Sequence, residues 1–226
     1  GTVLPTSIED KKLVAQRENG EILYSEAEIV ELRSNVRIEQ IYLLDQILDK
    51  STFATIDNNE KRSYLERHHC YVGVSPGVRL ALQRAEIIIY SAGTQHSSLY
   101  PTYMSAGLAE SISDNHSALK VFITNIGADY ETPSYKASDY ILGAYRYLNL
   151  SDERNYGMEE LFDVIFINQS HFKDDETYVE YDEEGFHDIS IQCLVDIFES
   201  EDNPGKHNGN KVVKTILDLY EDKHFQ

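Results

Sequence analysis

An α/β fold, with a mainly parallel sheet, helices on both faces and an N-terminal β-hairpin, is what this 226-residue sequence predicts. Three observations carry that reading. Ile87-Ile88-Ile89-Tyr90, Val121-Phe122-Ile123-Thr124 and Val164-Ile165-Phe166-Ile167 are short apolar runs with the character of strands buried on both faces. Helical patterns separate them, so strand, helix, strand, helix, strand implies parallel pairing with right-handed crossovers. Upstream, Asn19-Gly20 lies between Leu13-Val14-Ala15 and Ile22-Leu23-Tyr24, which reads as a hairpin turn between two strands.

The elements follow in order. A third N-terminal strand is expected around Val36 to Leu44. Residues 45–72 change character, with the polar run Asp57 to Arg62 at their centre, and read as an excursion holding one short helix, Lys61 to His68. Ser75-Pro76-Gly77 is a helix start, Ser as cap and Pro in the first turn, followed by an apolar face of Val78, Leu80, Ala81, Leu82 and Ala85. A small-residue loop from Ser91 leads into a helix from about Thr102 to Ile112, and Ser138 to Leu148 predicts another. Tyr178 to Tyr181 and Asp188 to Ile191 read as two further strands, Glu199 to Asn210 as a polar loop, and Lys211 to Tyr220 as a terminal helix. The whole is a Rossmann-like pattern.

Composition bounds the partners. The formal charge of −19 comes from 39 acidic and 20 basic side chains. Such a field repels phosphate backbones and anionic bilayers, so nucleic acid and membrane are not expected as partners; a simpler reading is that the acids solubilise the surface. No apolar run approaches the roughly 20 residues of a membrane-crossing helix. Gly1 to Pro5 lack the basic start and apolar core of a signal peptide. Cys70 and Cys193 form no CxxC, so two ordinary thiols in a cytoplasmic protein are expected.

Ligands of open parallel sheets bind beyond the carboxyl ends of the strands. Three loops therefore carry the candidate site. In Ser91 to Pro101, Gly93 permits a close backbone approach and Thr94, Ser97 and Ser98 offer hydroxyls, while the amide donors of the following helix would serve a phosphate or carboxylate. The alternative is an ordinary helix cap with Ser and Thr in turn roles. In Asn125 to Pro133, Asn125 ends a strand, and Glu131 is suited to accepting hydrogen bonds from a ribose or sugar hydroxyl. The third loop opens at Asn168, again directly after a strand.

The order of these pieces resembles one family. Ala85 to Pro101 aligns without a gap to A-D-x-I-V-x-G-P-G-S-x-x-T-S-I-x-P, the segment typical of CofD/YvcK-type proteins (UPF0052-like), and Gly107 to Ile112 resembles the helix that follows. Asn125, Glu131-Thr132 and Ala137-Ser138-Asp139-Tyr140 resemble that family's strand-end Asn and G-E-T-x-x-x-x-x-S-D-H element. Val3-Leu4-Pro5-Thr6 with Glu18 to Ile22 and Glu26 resembles the V-L-P-x-T … D-G-x-x-x-x-G-E stretch of YvcK-like members, and Val164 to Asn168 resembles the V-I-V-N strand. The chain departs in having Ser91-Ala92 for Gly-Pro and Tyr140 where His is frequent. Neither the family's opening G-G-G-T-G turn nor its D-D-G-G element is present.

The resemblance implies one domain over 1–226, corresponding to the C-terminal half of such proteins, with an insertion at about 45–74. It implies a 2-phospho-L-lactate transferase-type activity, in which a phospholactyl-like group passes from a nucleotide diphosphate adduct to a deazaflavin acceptor, assisted by Mg2+ held mostly by the absent half. The alternatives are a YvcK-like non-catalytic nucleotide-sugar-binding regulator, or an inactive fragment. A nucleotide or nucleotide-sugar is the implied ligand, with a homodimer as a further option. The ligand-binding residues carried over are Gly93, Thr94, Ser97, Ser98, Asn125, Glu131, Thr132 and Asn168; no catalytic residue and no metal ligand is assigned.

Other constellations are weaker. His68-His69-Cys70 has no second cluster at zinc spacing. Asp174-Asp175-Glu176 lacks the glycine pattern of a calcium loop. Pro204 to Lys211 lacks the preceding strand and the spacing of a P-loop, although His207 and Asn210 stand at a helix start and are placed to face the cleft.

Overall fold

The computed structural model describes residues 1–169 and 177–225. Its elements run β1 (Lys12–Arg17), β2 (Ile22–Leu23), α1 (Glu26–Glu31), β3 (Ile38–Leu44), α2 (Lys50–Ala54), α3 (Asn58–His68), α4 (Pro76–Arg84), β4 (Ile87–Tyr90), α5 (Tyr100–Tyr103), α6 (Leu108–Ser113), β5 (Leu119–Ile123), α7 (Ala137–Leu148), α8 (Met158–Leu161), β6 (Val164–Asn168), β7 (Gln192–Asp196), β8 (Glu199–Ser200), β9 (Asn203–His207) and α9 (Gly209–Phe225). A π-helical turn, Gln95–Leu99, runs directly into α5.

Four parallel strands pair in the order β4-β5-β6-β7. Every residue of β5 and β6 is buried, as their unbroken apolar character requires. One face of the sheet presents Ile88, Tyr90, Phe122, Ile165 and Ile167 to the helical layer of α6, α7 and α8. The opposite face, with Leu119, Val121, Ile123, Val164 and Phe166, packs under Val212 and Ile216 of α9. Helices therefore cover both faces. A separate antiparallel sheet, β2-β1-β3, sits at the N-terminus, closed by the turn in which Gly20 adopts φ +84°.

The excursion at 45–72 departs from expectation in holding two helices. α3 starts at Asn58 because the Asp57 carboxylate accepts the Asn59 and Glu60 N–H groups as an N-cap. Phe53 and Leu65 of α2 and α3 form a small core with Val14, Ile22, Tyr42 and Leu44 of the N-terminal sheet. Ser75 caps α4 as predicted, but Leu80 and Ala81 face solvent, and only Val78, Leu82 and Ala85 pack inward. β4 is an edge strand, so it alternates in burial and leaves Ile89 49% exposed.

The helix expected over Thr102 to Ile112 is broken. Its first half starts earlier, inside the loop, and Gly107 at φ +81° restarts the chain as α6. Tyr178 and Glu180 make only single bridges, to Gly127 and Lys136, and a 3-10 turn occupies 183–186. The fourth parallel strand lies at Gln192–Asp196 rather than Asp188 to Ile191, and the polar stretch after it is a β8–β9 hairpin. Asp174-Asp175-Glu176 lies outside the described residues. No helix among the described residues is long and apolar enough to cross a membrane, and Cys70 and Cys193 are free thiols.

Candidate functional site

The loops after β4 and β5 are tied to each other at the carboxyl end of the sheet. Asn125, two residues past β5, accepts the Gly93 N–H on Oδ1 (3.1 Å) and donates Nδ2 to the Gly93 carbonyl (3.0 Å). Its amide is thus spent on the neighbouring loop. Gly93 has an ordinary backbone conformation, and a Cβ there would meet Leu99 at 3.6 Å, a normal contact.

Past Gly93 the chain enters the π-helical turn, and its first amides point at Glu131. The Glu131 carboxylate accepts the Ser97 N–H at 2.9 Å and the Ser97 hydroxyl at 2.5 Å, and the His96 N–H also favours its charged form. Glu131 is 3% exposed. Burial raises its pKa, and the Ser97 bonds oppose that rise. The negative charge therefore sits where a helix start attracts an anion, and it belongs to the protein itself.

Above this carboxylate stands an exposed hydroxyl cluster. Thr94 donates to Ser98 (2.9 Å), and the Ser97 hydroxyl lies 3.2 Å from Thr94 and 3.4 Å from Ser98. With the Ser97 proton directed at Glu131, its lone pairs remain open to an incoming donor. Thr132 is elsewhere engaged. It is fully buried, donates to Asp129 (2.9 Å) and meets the Tyr140 hydroxyl at 3.0 Å. Asp129 also accepts the backbone N–H of Glu131 and Thr132, which fixes the turn that aims Glu131 inward. Asp129 was not singled out from sequence, although its position two residues before Glu131 is the usual one for such a turn.

Asn168 ends β6 and takes the Phe198 and Glu199 N–H groups on its Oδ1 (2.7 and 2.9 Å). The structure thus brings Gly93, Thr94, Ser97, Ser98, Asn125 and Glu131 together. Thr132 lies behind them, and Asn168 serves the hairpin one strand further on. His96, unremarked in the sequence, is a strongly perturbed group nearby. It is 1% exposed, its Nδ1 has no partner among the described residues, and burial lowers its pKa to about 3. It packs edge-on to Tyr100 at 5.0 Å and lies 6.0 Å from Tyr135.

Two open depressions lie elsewhere. One of about 520 Å3 flanks Tyr64 and Arg67 on α3. The other, of about 600 Å3, lies between the β8–β9 hairpin and the start of α9, where Glu199, Glu201 and Asp202 give it an acidic lining.

The family model described as 2-phospho-L-lactate transferase CofD matches residues 1–201. The chain belongs to the CofD family. It is 24% identical over 222 residues to a protein of Halalkalibacterium halodurans named gluconeogenesis factor, covering 96% of this chain and 60% of that one. A Thermotoga maritima relative, provisionally given the same name, is 25% identical over 230 residues, covering 96% of this chain and 61% of its own. A crystal structure of a UPF0052-family member from Bacillus halodurans superposes with a TM-score of 0.69 at 21% identity, over 96% of this chain and 62% of that one. That likeness is one of fold. The chain spans about three-fifths of the length of these relatives.

Proposed function

We propose that the chain forms one wall of a nucleotide-sugar site in a regulator of the gluconeogenesis-factor type. The observation that carries this reading is Glu131. Its buried carboxylate takes the main-chain donors that a phosphate would need and orders the uncharged hydroxyls of Thr94, Ser97 and Ser98 at the surface. A hydroxyl-rich surface on a chain of net charge −19 suits the neutral hydroxyls of a sugar or ribose better than a bare phosphate. Gly93 and Asn125 set the position of that surface, with Thr132 behind it. The names of the relatives support the regulatory reading.

The family description supports a second reading, transfer of a phospholactyl-like group from a nucleotide adduct. Magnesium would assist such chemistry by neutralising phosphate charge. Among the described residues no three His, Cys, Asp or Glu side chains converge as a metal site.

Thermal stabilisation of the full chain by UDP-sugars, GDP and GTP, each with and without Mg2+, separates the readings. The proposal expects a UDP-sugar response that needs no metal and that Ser97→Ala weakens. A response confined to guanine nucleotides with Mg2+ transfers the argument to the transferase, and silence with every ligand overturns the nucleotide-site reading.

A further inference from the structure

Two arginines of the segment between α1 and β3 lie on two tyrosines of the loop after β5. The Arg33 guanidinium stands 3.9 Å over the Tyr130 ring, and that of Arg37 stands 4.9 Å over the Tyr135 ring. The segment that carries them is anchored at both ends. Buried Arg17 donates to the Leu32 carbonyl (2.6 Å) and to the Val36 carbonyl (3.2 Å), and Arg37 donates to the Ser134 carbonyl (2.5 Å). α1 itself lies against the π-helical turn that carries Ser97 and Ser98.

The two arginines differ in what answers their charge. Arg37 grips both oxygens of Asp139 at 3.2 Å. Arg33 is exposed, and among the described residues no carboxylate pairs with it. Its tyrosine is equally open, at 54% exposure. Tyr130 stands between Asp129, which fixes the turn, and Glu131, which takes the Ser97 N–H. The turn thus sends one side chain inward beneath the hydroxyls and its neighbour outward to the arginine.

We propose that Arg33, held on the face of Tyr130, reads the diphosphate of the ligand whose sugar rests on Thr94, Ser97 and Ser98. This rests on the nucleotide-sugar reading and adds the cation that a diphosphate requires. A chain of net charge −19 repels such a group at long range, so its capture needs a local positive charge. Contact with the ring restrains the guanidinium and leaves its edge donors open for a two-pronged grip on phosphate oxygens. Lysine at this position would keep the charge and lose the fork. Tyr130 is a positioning residue, acting on the ligand through the arginine.

UDP-glucose and inorganic pyrophosphate are each titrated into the full chain as wild type, Arg33→Gln, Arg33→Lys, Tyr130→Phe and Tyr130→Leu, with 15N NMR of the Arg33 Nε–H alongside. Loss of a charge-assisted hydrogen bond weakens UDP-glucose about tenfold in Arg33→Gln, and Arg33→Lys recovers part of that loss. Tyr130→Phe keeps the aromatic face and binds as wild type does, whereas Tyr130→Leu weakens both ligands about twofold to fivefold. Wild-type affinity for UDP-glucose in Arg33→Gln overturns the Arg33 assignment and leaves the sugar surface standing. Pyrophosphate binding that shifts the Arg33 Nε–H, with UDP-glucose silent, upholds the arginine as an anion site and removes the nucleotide-sugar reading. Silence with both ligands removes both.

Discussion

Acidification should strike this protein through His96. Its pKa falls from 6.5 to about 3 on folding because the ring is buried among Tyr100, Tyr135 and the turn that carries Glu131, with Arg146 adding a small push in the same direction. The unfolded chain takes up a proton on this ring below about pH 6.5, and the folded chain does not. The group's contribution is therefore fully present above pH 6.5 and is lost as pH falls toward 3. At pH 5 the difference spans about 1.5 pH units, which at 1.36 kcal/mol per unit amounts to about 2 kcal/mol. Urea unfolding followed by circular dichroism suits a chain without Trp, and it is run at pH 7.5, 6 and 5 on wild type and His96→Gln. Other groups titrate equally in both, so the difference between the curves isolates His96. Wild type should lose about 2 kcal/mol more than the variant between pH 7.5 and 5. Parallel curves, or a His96 ring titrating near 6.5 in the folded protein, would refute the reasoning.

Further outcomes follow from the same geometry. Gly143→Ala on α7 puts a methyl 2.0 Å from the Tyr100 hydroxyl oxygen, so overpacking outweighs the helix-propensity gain and the melting temperature falls by about 5–10 °C. Glu131→Ala leaves the Ser97 N–H and hydroxyl without their acceptor and costs about 2–4 kcal/mol in urea unfolding. Asn168→Ala orphans the Phe198 and Glu199 amides, and hydrogen exchange should accelerate across 198–207 while β5 stays protected.

The sheet was legible because buried parallel strands are written as uninterrupted apolar runs, and β5 and β6 are buried throughout. β4 carries the same kind of run, yet it is an edge strand. Sequence cannot say which strand of a set stands last, so the exposure of Ile89 was hidden. The β8–β9 hairpin escaped because its strands are largely exposed, contain Pro204 and depend on Asn168 and Phe166 for their place. The start of α3 was readable in principle from Asp57, an N-cap residue obscured by the polar run that follows it. Within the site, the strand-end positions of Asn125 and Asn168 were visible, but the partners of their amides were not. The decisive feature, a carboxylate folded back onto a neighbouring loop's amides, joins residues 34 apart in the chain, and no local pattern announces that.

The central claim is that the hydroxyl surface over Glu131 receives a nucleotide sugar. Titrating UDP-glucose into the 15N-labelled chain and following the backbone amides tests it most directly. The account predicts shifts concentrated at Thr94, Ser97 and Ser98, with Asn125 moving as well. Shifts confined to the acidic depression around Ser200, Asp202 and Lys211, or none at any residue, would contradict it.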